Sequence, residues 1–467
     1  MFQPNERSSS STNKMANIVR QSSFRHVWGD PWKAKWEDLR PATKVSESSG
    51  VKANSQFVAI PWGTGGGGNI CLLDWKQQGR MPPSIPVISG HQGGVLDFEF
   101  NPFDENMIAS VSEDCHFRIF QIPDGGLKEN LKQSVCEIPH PKKVSLLHHN
   151  PAANGIVATG AYDHVVRILN TETQDAVLEV PFTDLLQHIR WNHDGDLLTV
   201  CCKDKFVHII DPRVKKGVVA LTRAHEGVKS MKTLWLDGHN HRTDRVLTTG
   251  FSSMAERQVC VWDLRNFTAE PAGSEPLHLL PLDQGTGALF PFYDADTRML
   301  YLAGKGDGNV KYFEMVEEAP FFHYVSDYRS TTPQKGFDFL PKYAVDTAKK
   351  EIMRGVKCES GAVQAISFVV PRKSEAFQSD LYPDTLAPIA SLTADEWEGG
   401  AKKPRTRMSM NRESRTDGSG VFASASNGSA AAKPKGIREY KEELAQAHAR
   451  IAELETENRA LKAKLGM

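Results

Sequence analysis

Histidines are the first residues of this sequence whose type could support metal chemistry. Zinc sites combine histidine with cysteine or carboxylate ligands at short, fixed spacings. His148 and His149 stand at the end of an apolar run. His239 and His241 lie in the polar stretch DGHNHRTD. Neither pair has such partners at metal-ligand spacing. We therefore predict no metal site and interpret these histidines as solvated loop residues.

A glycine-rich stretch, WGTGGGGNI at residues 62–70, has the composition of a phosphate-binding loop. Such a loop ends in Gly-Lys-Ser/Thr and joins a strand to a helix. That ending is absent here, and the flanking residues have the pattern of two strands, so a hairpin loop is predicted. The GxSxG and HExxH signatures of hydrolases and metalloproteases are absent as well. We expect neither enzyme activity nor a cofactor.

The seven cysteines indicate reduced thiols rather than a disulfide framework. Their number is odd, no CxxC occurs, and five of them lie inside apolar, strand-like runs. This usage is typical of a cytosolic protein. The sequence has no apolar run of membrane-spanning length, and its polar N-terminus lacks the apolar region of a secretory signal. We expect a cytoplasmic protein without a transmembrane segment.

Internal repeats indicate which elements the chain forms. Each repeat has an apolar strand, a polar turn, a small-residue strand, a tight turn with aspartate and an alternating strand. Five repeats are visible: 90–122, 140–171, 184–212, the segment ending at Trp262-Asp263, and 287–314. The turn residues Asp114, Asp163 and Asp204 are 49 and 41 residues apart. Such periods are typical of WD-repeat β-propeller blades.

Aspartate is expected at these turn positions, because its carboxylate accepts hydrogen bonds from the N–H groups of a tight turn. The predicted structural residues of the blades are His91, Asp114, Asp163, Asp204, Trp262, Asp263 and Asp307. About 45 residues per blade gives seven or eight blades between Phe24 and Val370. Adding a hairpin in 51–80 and a degenerate blade in 320–370, we predict an all-β, seven-bladed propeller.

The C-terminal segment 437–467 has the seven-residue spacing of a parallel coiled coil. Its predicted oligomerisation residues are Ile437, Leu444, Ile451, Leu454, Asn458, Leu461 and Leu465, with Arg450 and Glu455 as an interchain pair. Asn458 favours two strands. Arg450-Ile451-x-x-Leu454-Glu455 resembles a motif of parallel trimers. We favour a trimer, and a dimer or tetramer remains open.

The region before the coiled coil is predicted to be disordered. Residues 401–435 hold eight Lys or Arg against two acidic residues and few large apolar side chains. Such a segment cannot bury a core. It is either a solvated spacer with phosphorylation targets (Ser409, Ser414) or an additional basic contact.

The stretch SSFRHVWGDPWKAKWEDLR at residues 22–40 carries Trp28, Trp32 and Trp36 among basic residues. Its net charge of only +1 is too small for a nucleic-acid binding site. In a propeller, SFRHVWG is expected to supply the strand that closes the last blade. WEDLR is expected to begin blade one and present Arg40. The tryptophans are then packing residues.

Several longer motifs resemble the coronin family. VRQSSFRHVWG (19–29), TTGFSSMAERQ (248–258) and PRKSEAFQSDLYPDT (371–385) are similar to segments of that family, and a generic WD repeat would not reproduce the last. The resemblance covers about residues 19–398 and the coiled coil. It implies a cytoplasmic protein of the actin cytoskeleton that binds actin filaments, oligomerises and regulates filament turnover and branching.

The resemblance also implies site residues and boundaries. The family's Tyr-Glu-Asp-Ile-Arg motif corresponds to Trp36-Glu37-Asp38-Leu39-Arg40, so Arg40 is the expected actin-binding residue, with Lys33 and Lys35 as helpers. The expected parts are a disordered tail (1–16), a propeller with a C-terminal extension (17–398, the extension about 315–398), a basic linker (399–436) and a coiled coil (437–467).

Partners and alternatives follow from the same reasoning. The expected partners are actin filaments and further copies of this chain. The branch-nucleating actin-related protein complex is kept as a further candidate, since some family members bind it through the coiled coil. The alternative is a WD-repeat scaffold for peptide or protein partners in trafficking or signalling, without actin binding. Specific nucleic-acid binding is not expected, since the formal net charge is −1.

Overall fold

The computed structural model describes residues 22–42, 47–63, 68–214, 217–236, 244–268 and 273–411. Seven sheets of this part of the chain form the blades, which confirms the predicted seven-bladed propeller, and a further two-stranded sheet lies in the C-terminal extension. None of the helices in these described ranges is long and apolar enough to cross a membrane. The predicted tail 1–16 and coiled coil 437–467 lie outside the described residues.

The strands follow one another blade by blade. Two short strands come first, β1 (Trp28–Pro31) and β2 (Trp36–Glu37). Blade one contains β3 (Lys52–Ala53), β4 (Phe57–Trp62), β5 (Gly68–Asp74) and β7 (Val87–His91), with β6 (Gly79–Arg80) between the last two in sequence. Blade two contains β8 (Val95–Phe100), β9 (Met107–Ser112), β10 (His116–Gln121) and β11 (Cys136–Pro139). Blade three contains β12 (Val144–His149), β13 (Ile156–Ala161), β14 (Val165–Asn170) and β15 (Asp175–Pro181).

The next three blades have the same order. Blade four contains β16 (Leu186–Trp191), β17 (Leu198–Cys202), β18 (Phe206–Ile210) and β19 (Val218–Arg223). Blade five contains β20 (Lys232–Trp235), β21 (Arg245–Phe251), β22 (Arg257–Asp263) and β23 (His278–Asp283). Blade six contains β24 (Leu289–Asp294), β25 (Met299–Gly304), β26 (Asn309–Met315) and β27 (Phe322–Arg329).

Blade seven contains β28 (Gly336–Phe339), β29 (Glu351–Cys358) and β30 (Ala362–Val369), and the N-terminal strands complete it. The C-terminal extension adds β31 (Thr385–Leu386), α1 (Ala394–Glu398) and β32 (Arg407–Met408). Short 3-10 helices occupy Leu264–Asn266, Lys342–Ala344 and Thr347–Lys349.

The burial of each strand follows its place in the blade. In blade three, all six residues of the second strand β13 are buried, whereas most of the outer strand β15 is exposed. Blades stack face to face, so inner strands are covered on both sides and their sequences are apolar or small on both faces. One apolar cluster, for example, joins Ile156 and Ile168 of blade three to Ile189 and Val200 of blade four. The core therefore lies between the blades.

Polar side chains connect the innermost strands around the central channel. The Asp97 carboxylate accepts a hydrogen bond from Leu147 N (3.2 Å), and the Glu99 carboxylate accepts one from His149 N (2.8 Å). Asp338 accepts one from Ala53 N in the same way (3.3 Å). An inner strand has a free edge, and its buried N–H groups need partners. The channel carboxylates of one blade thus accept hydrogen bonds from the backbone N–H groups at the free strand edge of the next blade.

The N-terminal segment closes the ring at blade seven. β1 pairs antiparallel with β30, with Trp28 opposite Val369, as predicted for the closing strand. β2 also pairs with β30, with Trp36 opposite Val363. The prediction that WEDLR begins blade one is therefore wrong. The eight-residue β30 would otherwise leave an open edge, and the two short strands cover it one after the other.

The propeller has two distinct faces. The upper face carries the turns between the second and third strands of each blade, such as 113–115, and the connections from one blade to the next. The lower face carries the turns between first and second strands, such as 192–197. The extension covers the lower face, where Leu392 N donates to Ala152 O (3.1 Å) and Trp397 Nε1 to Gly195 O (2.8 Å).

The structure moves the predicted end of the extension. Within the predicted segment (about 315–398), residues 315–370 contain propeller strands, and the part that covers the lower face begins after Val369. It continues past the predicted end at residue 398. β32 pairs with β31, and Met410 is 1% exposed. The prediction of disorder is thus wrong for residues 401–411, because a basic segment with few apolar residues still buries one methionine and forms ion pairs.

Candidate functional site

Arg40 lies on the upper face, where blade seven meets blade one. Leu39 N donates to Gly361 O (3.0 Å) in a blade-seven turn, and Gly63 N donates to Arg40 O (2.8 Å) at the end of β4. Leu39 is buried beneath this segment. The Arg40 side chain is exposed, and no described residue forms a hydrogen bond or ion pair with its guanidinium. Its backbone is therefore fixed while its charge is available to a partner.

Lys33 and Lys35 occupy a different place. Both lie between β1 and β2, along the outer edge of blade seven. Lys33 is exposed, and Lys35 Nζ pairs with Glu37 Oε1 at 3.2 Å. The structure thus puts the two predicted helpers on the edge of the blade and Arg40 on its upper face, rather than in one cluster.

Arg80 is a basic residue near Arg40 that the sequence did not single out. β6 pairs parallel with β2, which puts Arg80 opposite Glu37. Arg80 Nε lies 2.8 Å from Asp38 Oδ2, and the Arg80 side chain is 81% exposed. An exposed pair of this kind contributes only about 0.2–1 kcal/mol. Arg80 can therefore exchange Asp38 for a carboxylate of a partner. No sequence motif marks Arg80, since its placement depends on β6 leaving blade one.

The three tryptophans have unequal roles. Trp36 is fully buried, and its ring contacts Trp75 edge-on with centroids 5.2 Å apart. Trp32 contacts the same ring at 5.8 Å and carries the Arg354 guanidinium over its face at 4.8 Å. Trp28, in contrast, is 48% exposed. Two of the three thus pack the N-terminal segment against the propeller and support the position of Arg40.

The turn aspartates recur with the same partner spacing. Asp114 pairs with Arg118 (2.7 Å), Asp163 with Arg167 (2.7 Å) and Asp204 with His208 (3.3 Å), in each case four residues later. Each pair links an upper turn to the strand that follows it.

His91 completes one of these turns. Its Nδ1 lies 3.0 Å from Asp114 Oδ2, and its Nε2 lies 2.8 Å from Ser110 Oγ. Burial alone would raise the pKa of Asp114, but hydrogen bonds from His91 and Arg118 outweigh it and hold the pKa below its usual range. These groups hold the turn together.

The other predicted blade residues have related structural roles. Trp262 Nε1 donates to Thr248 Oγ1 (2.8 Å), which also lies 2.8 Å from His225 Nε2. Asp263 ends β22 and caps the following 3-10 helix by accepting from Arg265 N. It therefore does not lie in an upper turn. Asp307 does lie in one and accepts from Arg257 Nη1 (2.6 Å).

One group in the described part of the chain has ligand types that could hold a metal. The donor atoms of Cys202, Asp204 and His208 lie within 4.8 Å of one another. His208 occupies the position of Arg118 and Arg167 in the preceding blades, so its contact with Asp204 is the turn pairing. Burial raises the pKa of the Cys202 thiol far above its usual range, which opposes the thiolate that zinc requires.

The prediction that His148 and His149 are solvated is wrong. Both belong to β12, the innermost strand of blade three. His149 is 7% exposed, and burial lowers its pKa to about 4. The sequence did not reveal this, because the covering groups come from neighbouring blades. His239 and His241 lie outside the described residues.

The predicted oligomerisation residues also lie outside the described ranges: Ile437, Leu444, Arg450, Ile451, Leu454, Glu455, Asn458, Leu461 and Leu465. Their assignment to a coiled coil stays a prediction.

The fold and its repeated turns define a WD-repeat β-propeller, and family profiles agree. Residues 83–121 match a WD domain (G-beta repeat), and residues 363–405 match a type of WD40 repeat. Residues 17–80, which include Arg40, match a domain of unknown function, DUF1899.

Similar proteins identify the family. Coronin-A of Dictyostelium discoideum is 36% identical over 451 residues, 95% of this chain and 97% of that protein. Human Coronin-2A is 37% identical over 402 residues, 84% of this chain and 74% of that protein. The crystal structure of the WD40 domain of Toxoplasma gondii coronin has a TM-score of 0.77 and 37% identity, and the match covers 83% of this chain and 97% of that one. The chain belongs to the coronin family.

Proposed function

We propose that this protein binds actin filaments through the upper face of its propeller and acts as a binding protein rather than an enzyme. The observation that supports this most directly is the state of Arg40. The residue is exposed and has no partner among the described residues, while hydrogen bonds hold its backbone on both sides. A guanidinium on a fixed backbone suits the recognition of carboxylates, because little further ordering is needed on binding.

The arrangement of the two faces supports the same surface. The extension occupies the lower face, where Thr385 Oγ1 donates to Asp296 Oδ2 (2.6 Å) and Lys402 pairs with Asp196 (2.6 Å). The upper face carries Arg40, and residues 370–411 of the extension do not cross it. A large partner such as a filament therefore has access to the upper face.

Oligomerisation is the second part of the proposal. The heptads of residues 437–467 form a parallel coiled coil, with a trimer favoured by Arg450 and Glu455. A propeller that binds one filament site weakly gains avidity when it is linked to further copies, since each later binding event is intramolecular. The oligomer bundles filaments and regulates their turnover in the cytoplasm.

Filament cosedimentation tests both parts. Arg40→Asp should lose most of the binding while its thermal unfolding stays that of the wild type. Arg25→Asp is the matched control, because Arg25 is an exposed arginine at the other end of the same N-terminal segment. A truncation ending at Lys435 should be monomeric in analytical ultracentrifugation and should no longer bundle filaments. If Arg40→Asp pelleted with filaments like the wild type, the proposed site would be wrong.

A further inference from the structure

The central channel opens on the upper face into a cavity of about 530 Å³. Loops of blades one, five, six and seven form its wall. Its apolar lining includes Pro41, Pro61, Ala288, Phe290 and Pro333. We call this the upper-mouth cavity. Because Pro41 directly follows Arg40 in the chain, the cavity lies directly beside Arg40. Its volume lies within the roughly 300–1,000 Å³ of typical binding pockets.

The cavity also carries positive charge. Lys305 and Lys335 line it, and Glu47 is the only acidic residue among its described lining residues. The Glu47 carboxylate is already paired with Lys232. The ammonium of Lys305 donates to Ser48 O (3.1 Å) and lies over the Phe290 ring at 5.9 Å. Burial and the nearby Lys232 lower the pKa of Lys305 to about 8, so an additional carboxylate in the cavity would be favourable.

Two exposed apolar side chains lie on loops near one wall of the cavity. Ser230 lines the cavity, and Val228, two residues before it, is 79% exposed. Met254 in the neighbouring upper loop of blade five is 80% exposed, and Gly227 N joins the two loops by donating to Phe251 O (2.8 Å). Single exposed apolar side chains are common. Here two such side chains lie on joined upper loops, one of which also lines the cavity through Ser230.

We propose that the upper-mouth cavity receives a short loop of the actin filament that carries a large apolar side chain next to an acidic residue. This inference rests on the proposed function. The apolar lining suits the apolar side chain, and Lys305 and Lys335 suit the carboxylate. Because Pro41 and Arg40 are adjacent, a partner held by Arg40 lies within reach of the cavity. Arg40 then supplies the charged part of the contact and the cavity supplies the apolar part.

Two matched substitutions at the two ends of one strand test the proposal. Ala288 and Ala295 directly flank β24 (Leu289–Asp294), Ala288 in the upper cavity and Ala295 in the cavity of about 440 Å³ at the lower mouth of the channel. Ala288→Trp should fill the upper cavity and weaken filament binding at least about tenfold, the effect of losing one important contact. Ala295→Trp should bind filaments like the wild type. Binding is measured by cosedimentation and folding by thermal unfolding.

A charge reversal keeps the test decisive if Ala288→Trp does not fold. Lys335 is half-buried, and among the described residues its ammonium has no partner. Lys335→Glu should therefore fold, and it should weaken filament binding by a similar factor of about ten.

The outcomes separate the cavity from the filament site. Should Ala288→Trp and Lys335→Glu bind like the wild type while Arg40→Asp fails to bind, the cavity proposal is overturned and the proposed function stands. Should Ala295→Trp weaken binding as much as Ala288→Trp, the upper cavity is not the contact either. Absence of filament binding by the wild type would overturn the proposed function itself.

Discussion

The ammonium of Lys232 lies 2.5 Å from the Glu47 carboxylate, so an ion pair joins the segment before blade one to the innermost strand of blade five. Lys232 is 1% exposed and also donates to Gln187 O (3.0 Å). Blades one and five are not neighbours in the ring. The pair therefore connects opposite parts of the upper mouth of the channel.

Removal of Lys232 should destabilise the propeller. Lys232→Met leaves the half-buried Glu47 without its counter-ion, and we expect the free energy of unfolding to fall by about 2–4 kcal/mol. Urea unfolding measures the change. Lys142→Met replaces an exposed lysine and should change the free energy by less than about 0.5 kcal/mol. Equal stability of the two variants would show that the buried pair contributes nothing.

His140 should make the propeller less stable in mild acid. Its Nδ1–H donates to Ile138 O (3.2 Å), and its Nε2 accepts from Thr159 Oγ1 (3.0 Å), so the neutral ring is satisfied. Burial lowers the pKa of His140 from 6.5 to about 4. Below pH 6.5 the unfolded chain therefore binds a proton that the folded chain does not, and stability falls until about pH 4. The expected loss between pH 7 and pH 5 is about 2 kcal/mol.

The histidine contribution is measured by comparing variants at the two pH values. His140→Gln should lose this part of the pH dependence, although it is less stable at pH 7. His26→Gln replaces an exposed histidine and should keep the slope of the wild type. A His140→Gln protein that loses as much stability as the wild type between pH 7 and pH 5 would contradict the assignment.

Arg80 should contribute to filament binding, because it pairs with Asp38, two residues before Arg40. We expect Arg80→Asp to weaken cosedimentation by about three- to tenfold, since an exposed charge contributes about 1 kcal/mol. Its thermal unfolding should be nearly that of the wild type, because the pair with Asp38 is exposed. Lys76→Asp, on the same connection after β5, is an exposed control. Equal binding by both variants would exclude Arg80 from the contact.

The sequence predicted those features that depend on residues close to one another in the chain. Blade periodicity and the turn residues Asp114, Asp163 and Asp204 were predictable, because each carboxylate bonds to its own turn and to a residue four positions later. Strand pairing, burial and contacts that depend on strands distant in the chain were not predicted. β2 joins blade seven because β30 has a free edge. His149 is buried because it lies on the innermost strand of blade three, next to groups of neighbouring blades such as Glu99. Arg80 approaches Asp38 only because β6 leaves blade one.

The boundary of the extension was missed for a related reason. Residues 401–411 have the composition of a disordered linker, and composition does not reveal a docking site supplied by the rest of the chain. Met410 packs into the cluster that contains Leu381 and Tyr382, and Arg407 pairs with Asp296 (3.0 Å) on the lower face. The ordered extension thus includes a segment that would not fold alone.

Truncation at two positions tests this boundary. A chain that ends at Gly400 lacks β32 and Met410, and it should lose about 2–4 kcal/mol of stability, because burial of one methionine and several ion pairs is lost. A chain that ends at Asn411 keeps these contacts and should unfold like the full-length protein. Both truncations lack the predicted coiled coil, so any difference between their unfolding temperatures comes from residues 401–411. Identical unfolding temperatures would mean that this segment does not stabilise the propeller and that the ordered extension ends near α1.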